Sequence, residues 1–432
     1  MTAARTPITR RQFVASAAAA AVAPTMLTNV SRAQTSANQT LGIAWIGAGK
    51  RGRTVMQNYF LRDKRFRCVG IAEVDKTRRE YNAAFVNRIN QSNDCFTTPD
   101  YRELLERKDV DVVVIATPDH WHTIPAMHAA LAGKHVFCEK PLTLNIRESE
   151  FVIKAARKTN IKFQTGSQQR TEFGGKFITA CEYVLNGRIG KCDFVEVSTG
   201  DPAVPCDLPG EEMEPGLDWD RWLGPAPQRP YNSVLSPRGV HNHFPQWRRY
   251  EEYAGGILAD MGAHMFDIAQ WGLAKDRESP VTIIPPNDEK AIRGTKMVYA
   301  DGKTIQHIGG RGHSVTFVGE LGKIYVDRGR VTSEPASILE TPLTDSDLRL
   351  PRTDGNHGTN FADAIGTDRQ PICDVEVGSR TAVLCHLANI SYDVRETLTF
   401  DPNRWRFAGS EAANERLDYA ERRAGYELPK ID

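Results

Sequence analysis

Asp260 and His264 stand four residues apart in GGILADMGAHMFDIAQW, so on a helix they share a face and their side chains can meet. A carboxylate beside an imidazole sets its tautomer and favours its protonated form, which makes a base suited to a hydroxyl proton. The same spacing also suits a surface ion pair or half of a metal site. A second centre is Glu139-Lys140-Pro141, where the proline constrains the backbone of the lysine before it. Lys140 is either an amine whose pKa is lowered by partial desolvation, fit to handle a proton, or an ordinary strand-end lysine held by Glu139. His120 with His122 and His241 with His243 form two H-x-H pairs, which in extended chain point to one side. Zinc needs a full tetrahedral set and no further ligand is evident, so no metal is expected. Asn242, Trp247 and Arg248, beside the second pair, combine an aromatic face with hydrogen-bonding groups. That combination suits a pyranose, whose faces are apolar and whose rim is polar. Gln168, Gln169 and Arg170 are candidates for the same pocket, with a polar domain linker as their other reading.

These groups need elements to position them. The apolar strand Ile43 to Ile46 runs into Gly47-Ala48-Gly49-Lys50-Arg51-Gly52 and then into RTVMQNYFL, which has helical spacing. The glycines allow a tight turn, close approach of a pyrophosphate and close helix packing, and the helix N-terminus favours negative charge. The next strand, FRCVGIAEVD, carries Glu73 where an acid accepts hydrogen bonds from an adenosine ribose. A carboxylate there repels a 2′-phosphate, which favours NAD over NADP, while Arg78 and Arg79 keep NADP open. The run VDVVVIATPDHWH (110–122) is continuously apolar up to Thr117-Pro118, as in a parallel strand covered on both faces. A helix, the strand HVFCEKP, another helix and IKFQTG follow. Such alternation marks a doubly wound sheet, whose ligands bind beyond the carboxyl ends of the strands, where Thr117, Pro118, His122, Glu139 and Lys140 fall. His122 is expected beside the nicotinamide.

Taken in order, GAGKRG, the acid-ended second strand, TPDHWH, CEKPLTLN and GGILADMGAHMFD closely resemble the glucose-fructose oxidoreductase, inositol dehydrogenase and rhizopine catabolism (Gfo/Idh/MocA) family. GLDWDRWLGPAP, NHGTNFADAI and CDVEVGSRTAVLCHLANISY are similar to its exported branch. The resemblance implies catalytic roles for Lys140, Asp260 and His264, with Asp260 orienting His264, and a cis Lys140–Pro141 bond. It also implies homo-oligomerisation, as dimer or tetramer, through the open face of a second sheet. Relatives that cleave glycosides depart from Glu-Lys-Pro, which this chain keeps.

The fold expected is α/β: an N-terminal Rossmann doubly wound parallel sheet over 34–165, then a C-terminal α+β domain with a large, mainly antiparallel sheet over 166–432. Residues 1–33 read as a twin-arginine signal. Arg10 and Arg11 precede an alanine-rich stretch too short to span a bilayer, closing on Ser31-Arg32-Ala33. Its removal takes four arginines and turns the formal charge from +1 to −3. Such a near-neutral domain has no basic footprint for nucleic acid. No integral membrane contact is expected. The eight cysteines contain no C-x-x-C pair and are expected as buried free thiols, with Cys138 near the site. The proline-rich 201–237 is long for a connection, and Trp219 and Trp222 are expected to anchor it. Together these observations point to a periplasmic NAD-dependent oxidoreductase of a sugar, glycoside or polyol. The competing reading is a lyase or hydrolase that cleaves a glycoside through transient oxidation.

Overall fold

The computed structural model describes residues 40–310 and 312–431, so the proposed signal at 1–33 lies outside the described residues. Six short apolar runs form one parallel sheet: β1 (Leu41–Ile46), β2 (Phe66–Ala72), β3 (Phe96–Thr98), β4 (Val112–Ile115), β5 (His135–Cys138) and β6 (Phe163–Thr165), in the order β3-β2-β1-β4-β5-β6. The reversal between β1 and β4 opens the crevice at their carboxyl ends. Every residue of β1 and β4 is buried, because helices cover both faces. Helix Lys76–Asn90 begins where the Asp75 side chain accepts from the Arg78 amide at 2.7 Å, and Asn145 caps helix Ile146–Thr159 in the same way.

The second sheet has nine strands: β7 (Cys192–Ser198), β8 (Thr282–Ile284), β9 (Lys296–Val298), β10 (Thr304–Ile308), β11 (Ser314–Gly319), β12 (Gly322–Val326), β13 (Val331–Glu334), β14 (Leu398–Asp401) and β15 (Arg406–Ala408), ordered β13-β12-β11-β7-β10-β9-β8-β14-β15. All pairings are antiparallel except β7 with β10. Side chains alternate, so Val195, Val197, Ile305, Val315 and Phe317 turn to one face. There they meet Leu258, Met265, Phe266 and Ile268 of helix Gly256–Gly272 and Leu384 and Leu387 of helix Val375–Val394 in one core. The two sheets belong to one compact unit.

The long connection between β7 and helix Gly256–Gly272 is mostly irregular but well anchored. Trp219 and Trp222 stack with ring centres 4.6 Å apart and share a buried cluster with Tyr231, Leu235 and Tyr253. Its backbone is tied to the end of β2, with Asp218 N donating to Val74 O at 3.1 Å and Lys76 N to Gly216 O at 3.0 Å. Arg78 reaches across to Gly239 O at 3.0 Å and to Ser236 Oγ at 3.3 Å.

Candidate active site

The carboxyl ends of β1, β2, β4 and β5, the long connection and the first turns of helix Gly256–Gly272 enclose a single cleft of ≈ 460 Å³. At one end lies the glycine-rich turn. Gly47 has φ +84°, and a Cβ there would sit 2.7 Å from Thr117 N. At Gly52 a Cβ would come within 2.1 Å of Gly47 O, so the helix can start this close to the strand only without one. A Cβ on Gly49 would meet nothing within 4 Å, which leaves backbone open to the cleft for a pyrophosphate. Gly47, Gly49, Lys50, Arg51, Thr117, Pro118 and His122 all line it.

Glu73 is buried at the end of β2 and lines the same space. Its Oε2 accepts from Ala48 N at 2.8 Å and Oε1 from Asp75 N at 3.0 Å, which joins the acid to the glycine turn. Burial pushes its carboxyl up, against Arg78 and the backbone donors. The two arginines that left NADP open are committed elsewhere: Arg78 to the long connection and Arg79 to the carbonyl of Glu73. The residues present therefore fit NAD, whose ribose Glu73 would hold and whose pyrophosphate the backbone at Gly49 would admit.

At the other end, Lys140 is held by Asp260 rather than by Glu139. Its Nζ donates to Asp260 Oδ1 at 2.7 Å and to Asp260 O at 2.6 Å. Arg248 Nε approaches the same Oδ1 at 3.5 Å, its guanidinium 4.1 Å above the Trp247 ring. Burial acts to raise the Asp260 carboxyl, but Lys140 and Arg248 outweigh it and hold it below the ordinary value. This corrects the expected Asp260–His264 pair. Asp260 turns toward the two cations, because an ion pair with an ammonium outcompetes a neutral imidazole, and His264 Nδ1 is buried without a partner. Burial, then the charges of Lys140, Arg328 and Arg51, push His264 well below its ordinary value, so the ring is neutral.

Glu139 serves the floor. Its Oε1 accepts from Arg51 at 2.8 Å and from Gln168 Nε2 at 2.9 Å, and Arg51 overcomes burial to keep the carboxyl below its ordinary value. His122 bridges two strand ends, with Nδ1 2.6 Å from Pro141 O and Nε2 3.0 Å from Thr117 O; burial lowers its pKa to about 4. Lys140–Pro141 is cis.

Three substrate candidates, Arg170, Asn242 and Gln169, are placed off the cleft. Arg170, 1% exposed, is ion-paired with Asp267 at 2.7 Å and Asp276 at 2.8 Å behind the cleft, because a buried guanidinium must satisfy its donors with carboxylates. Asn242 is exposed and accepts from Arg53 at 3.1 Å, outside the cleft. Gln168, Trp247, Arg248 and His264 do line it. Gln169, with His264 O within 3.4 Å, does not. Of the histidine pairs, His120 is buried against Trp222 and Tyr253 with Nε2 3.0 Å from Trp222 O, and His241 lies at the cleft edge. The glycines of the long helix face protein rather than a ligand: a Cβ on Gly262 would touch Phe266, and one on Gly256 the Pro202–Ala203 backbone. All eight cysteines are free thiols, Cys138 buried at the end of β5.

Sequence reasoning passed over Asp119, Glu172, Phe173 and Arg328, which also line the cleft. Asp119 is buried with Oδ2 unpartnered, and burial and then Asp260 hold its carboxyl well above the ordinary range. Its place inside TPDHWH, four residues past the end of β4, was the available signal. Arg328 lies far along the chain in a hairpin turn and offered none.

Residues 41–167 match the oxidoreductase family NAD-binding Rossmann fold (GFO_IDH_MocA) and residues 205–427 its C-terminal alpha/beta domain. The chain is 24% identical over 365 residues to the uncharacterized oxidoreductase YrbE of Bacillus subtilis, covering 80% of this chain and 92% of that one. Over 179 residues it is 29% identical to the myo-inositol 2-dehydrogenase of Thermotoga maritima, 41% of each chain. Its fold is similar to that of the aldose-aldose oxidoreductase from Caulobacter crescentus, with TM-score 0.57 and 17% identity over 84% of this chain and all of that one. The chain belongs to the Gfo/Idh/MocA oxidoreductases and is an NAD-dependent member of that family.

Proposed function

We propose that the protein oxidises a hydroxyl-bearing carbon of a sugar, glycoside or polyol, and that it keeps its NAD bound while it does so. The observation that carries this reading is the meeting of a Lys140 ammonium, fixed on Asp260, with a neutral, unpartnered His264 in the cleft that begins at the glycine turn. Bound NAD⁺ supplies the acceptor for the hydride, two electrons with one hydrogen from carbon. His264 takes the hydroxyl proton as the C–H bond breaks, and Lys140 stabilises the oxygen as negative charge develops. Asp260 positions Lys140 and Glu139 positions Arg51, so the groups are aligned before substrate arrives. The myo-inositol and aldose enzymes among the relatives support a polyhydroxylated substrate.

Export by the twin-arginine route would carry the folded protein with its cofactor to the periplasm. The long connection, tied across the end of β2 by Arg78, Gly216 and Asp218, supports retention of a dinucleotide beneath it. A captive cofactor must be restored in place, which favours paired oxidation and reduction of two sugars. The open face of the nine-stranded sheet is proposed as the homo-oligomer contact, to be measured by light scattering.

The test is to purify the mature protein from the periplasmic fraction, denature it and quantify NAD(H) and NADP(H) per chain. It is then to be incubated, intact, with pairs of sugars. Near-stoichiometric NAD and a ketose or lactone balanced by a reduced second sugar support the reading. Aglycone release with no net redox change would establish the glycoside-cleaving alternative instead.

A further inference from the structure

Phe173 has φ +58° and is followed by Gly174 at +64° and Gly175 at +70°. Left-handed backbone is ordinary for glycine but a true outlier for a bulky aromatic residue, and such outliers gather at ligand sites. The turn sets the Phe173 ring on the cleft wall, and the Arg328 guanidinium lies 4.9 Å above it. Arg328 comes from the β12–β13 turn, where the neighbouring Asp327 is occupied by Gly329 N at 2.7 Å, Arg330 N at 2.8 Å and Tyr325 OH at 2.7 Å.

Among the described residues, not every cation that lines the cleft is ion-paired. Arg51 is paired with Glu139, while Lys140 and Arg248 share the single carboxylate of Asp260. Glu172 lines the same wall, its Oε1 buried without a hydrogen-bond partner, and acts on Arg328 through charge rather than through an ion pair. Among the described residues Arg328 has no carboxylate at ion-pair distance; its polar contact is Gln169 Oε1 at 3.5 Å. A guanidinium seated on an aromatic face, lining the cleft with no carboxylate partner and only a long contact to an amide oxygen, matches a planar carboxylate.

Resting on the sugar oxidoreductase reading above, we propose that Arg328, seated on Phe173, recognises a carboxylate on the substrate, so that the site takes an acidic sugar such as a uronate or its glycoside. The acid group is bound at the cleft wall, and the hydroxyl carbon is presented to Lys140 and His264.

The experiment titrates NAD-loaded wild type, Arg328→Gln and Arg328→Lys with D-glucuronate, its neutral amide D-glucuronamide, and D-glucose, following tryptophan and reduced-nicotinamide fluorescence. Wild type is expected to bind glucuronate about tenfold or more tightly than the amide, the usual size of a charge-assisted contact. Arg328→Gln brings that ratio close to one, and Arg328→Lys keeps part of it. A ratio near one in wild type, or one that Arg328→Gln does not alter, overturns the proposal. Binding and oxidation of neutral sugars but not of glucuronate overturn it while leaving the oxidoreductase reading intact. Absence of binding and of nicotinamide reduction across a panel of acids, sugars and polyols overturns both.

Discussion

Lys140 Nζ lies 2.7 Å from Asp260 Oδ1, which joins the carboxyl end of β5 to the first turns of the long helix beneath the second sheet. Both residues line the cleft that begins at the glycine turn. Replacing Lys140 by Ala is expected to lower kcat by about 10²–10³, the usual range for loss of a group that stabilises developing negative charge. Asp260→Asn removes the charge that positions Lys140 and is expected to lower kcat with KM less affected. Steady-state kinetics on NAD-loaded protein checks both.

His264 is held neutral by burial and by the positive charges around it, so it is ready to accept a proton throughout the neutral range. His264→Asn is expected to cost about 10²–10³ in kcat. The acid limb of the wild-type kcat profile is expected below pH 6.5, because the folded ring takes up a proton only under more acidic conditions than a free imidazole does. A limb at or above the free value would show that another group titrates.

Stability falls with acidification for the same reason. Burial lowers His120, His122, His135, His307 and His357 to about 4 and His386 to about 3. Between roughly pH 6.5 and 4 the unfolded chain binds protons that these folded rings refuse, at about 1.4 kcal/mol per pH unit for each ring. Asp119, Glu73, Glu148 and Asp267, buried carboxyls pushed upward, take protons earlier in the folded state and blunt the loss. Tm measured from pH 8 downward is expected to be flat to about 6.5 and then to fall toward 4.

Glu73 is fixed against the glycine turn by the Ala48 amide, where it would meet the ribose of a bound dinucleotide. Glu73→Ala is expected to weaken NAD by about tenfold and to narrow the preference over NADP, since it removes both a ribose acceptor and the charge that repels a 2′-phosphate. Equilibrium dialysis of apoprotein with each dinucleotide measures this.

Arg170 and Asp267 are buried together behind the cleft, so neutralising Asp267 leaves the buried guanidinium with the partly exposed Asp276 as its remaining carboxylate. Asp267→Asn is expected to destabilise the protein by about 3–5 kcal/mol in urea titrations. The kcat/KM of the folded, NAD-loaded fraction is expected to stay within about threefold, in contrast to the loss expected had Arg170 bound substrate.

Local chemistry determined much of this protein from the chain alone. The period of apolar residues, the strand-ending acids and the glycine spacing specify the parallel sheet and its crevice, because each depends on residues close in sequence. The same holds for the family motifs, which mark Lys140, Asp260 and His264 as the residues to examine. Which of these partner one another was decided only by tertiary structure. Spacing within one helix allowed Asp260 to meet His264, but Lys140, 120 residues earlier, arrives with a full charge and takes the carboxylate. Arg170 read as polar linker or pocket wall until Asp267 and Asp276 converged on it from the far end of the long helix. Arg328 and Phe173 carried no local signal at all. Their meeting depends on the β12–β13 turn packing against the segment that follows the first sheet, a contact between residues 155 apart in the chain that no short-range pattern encodes.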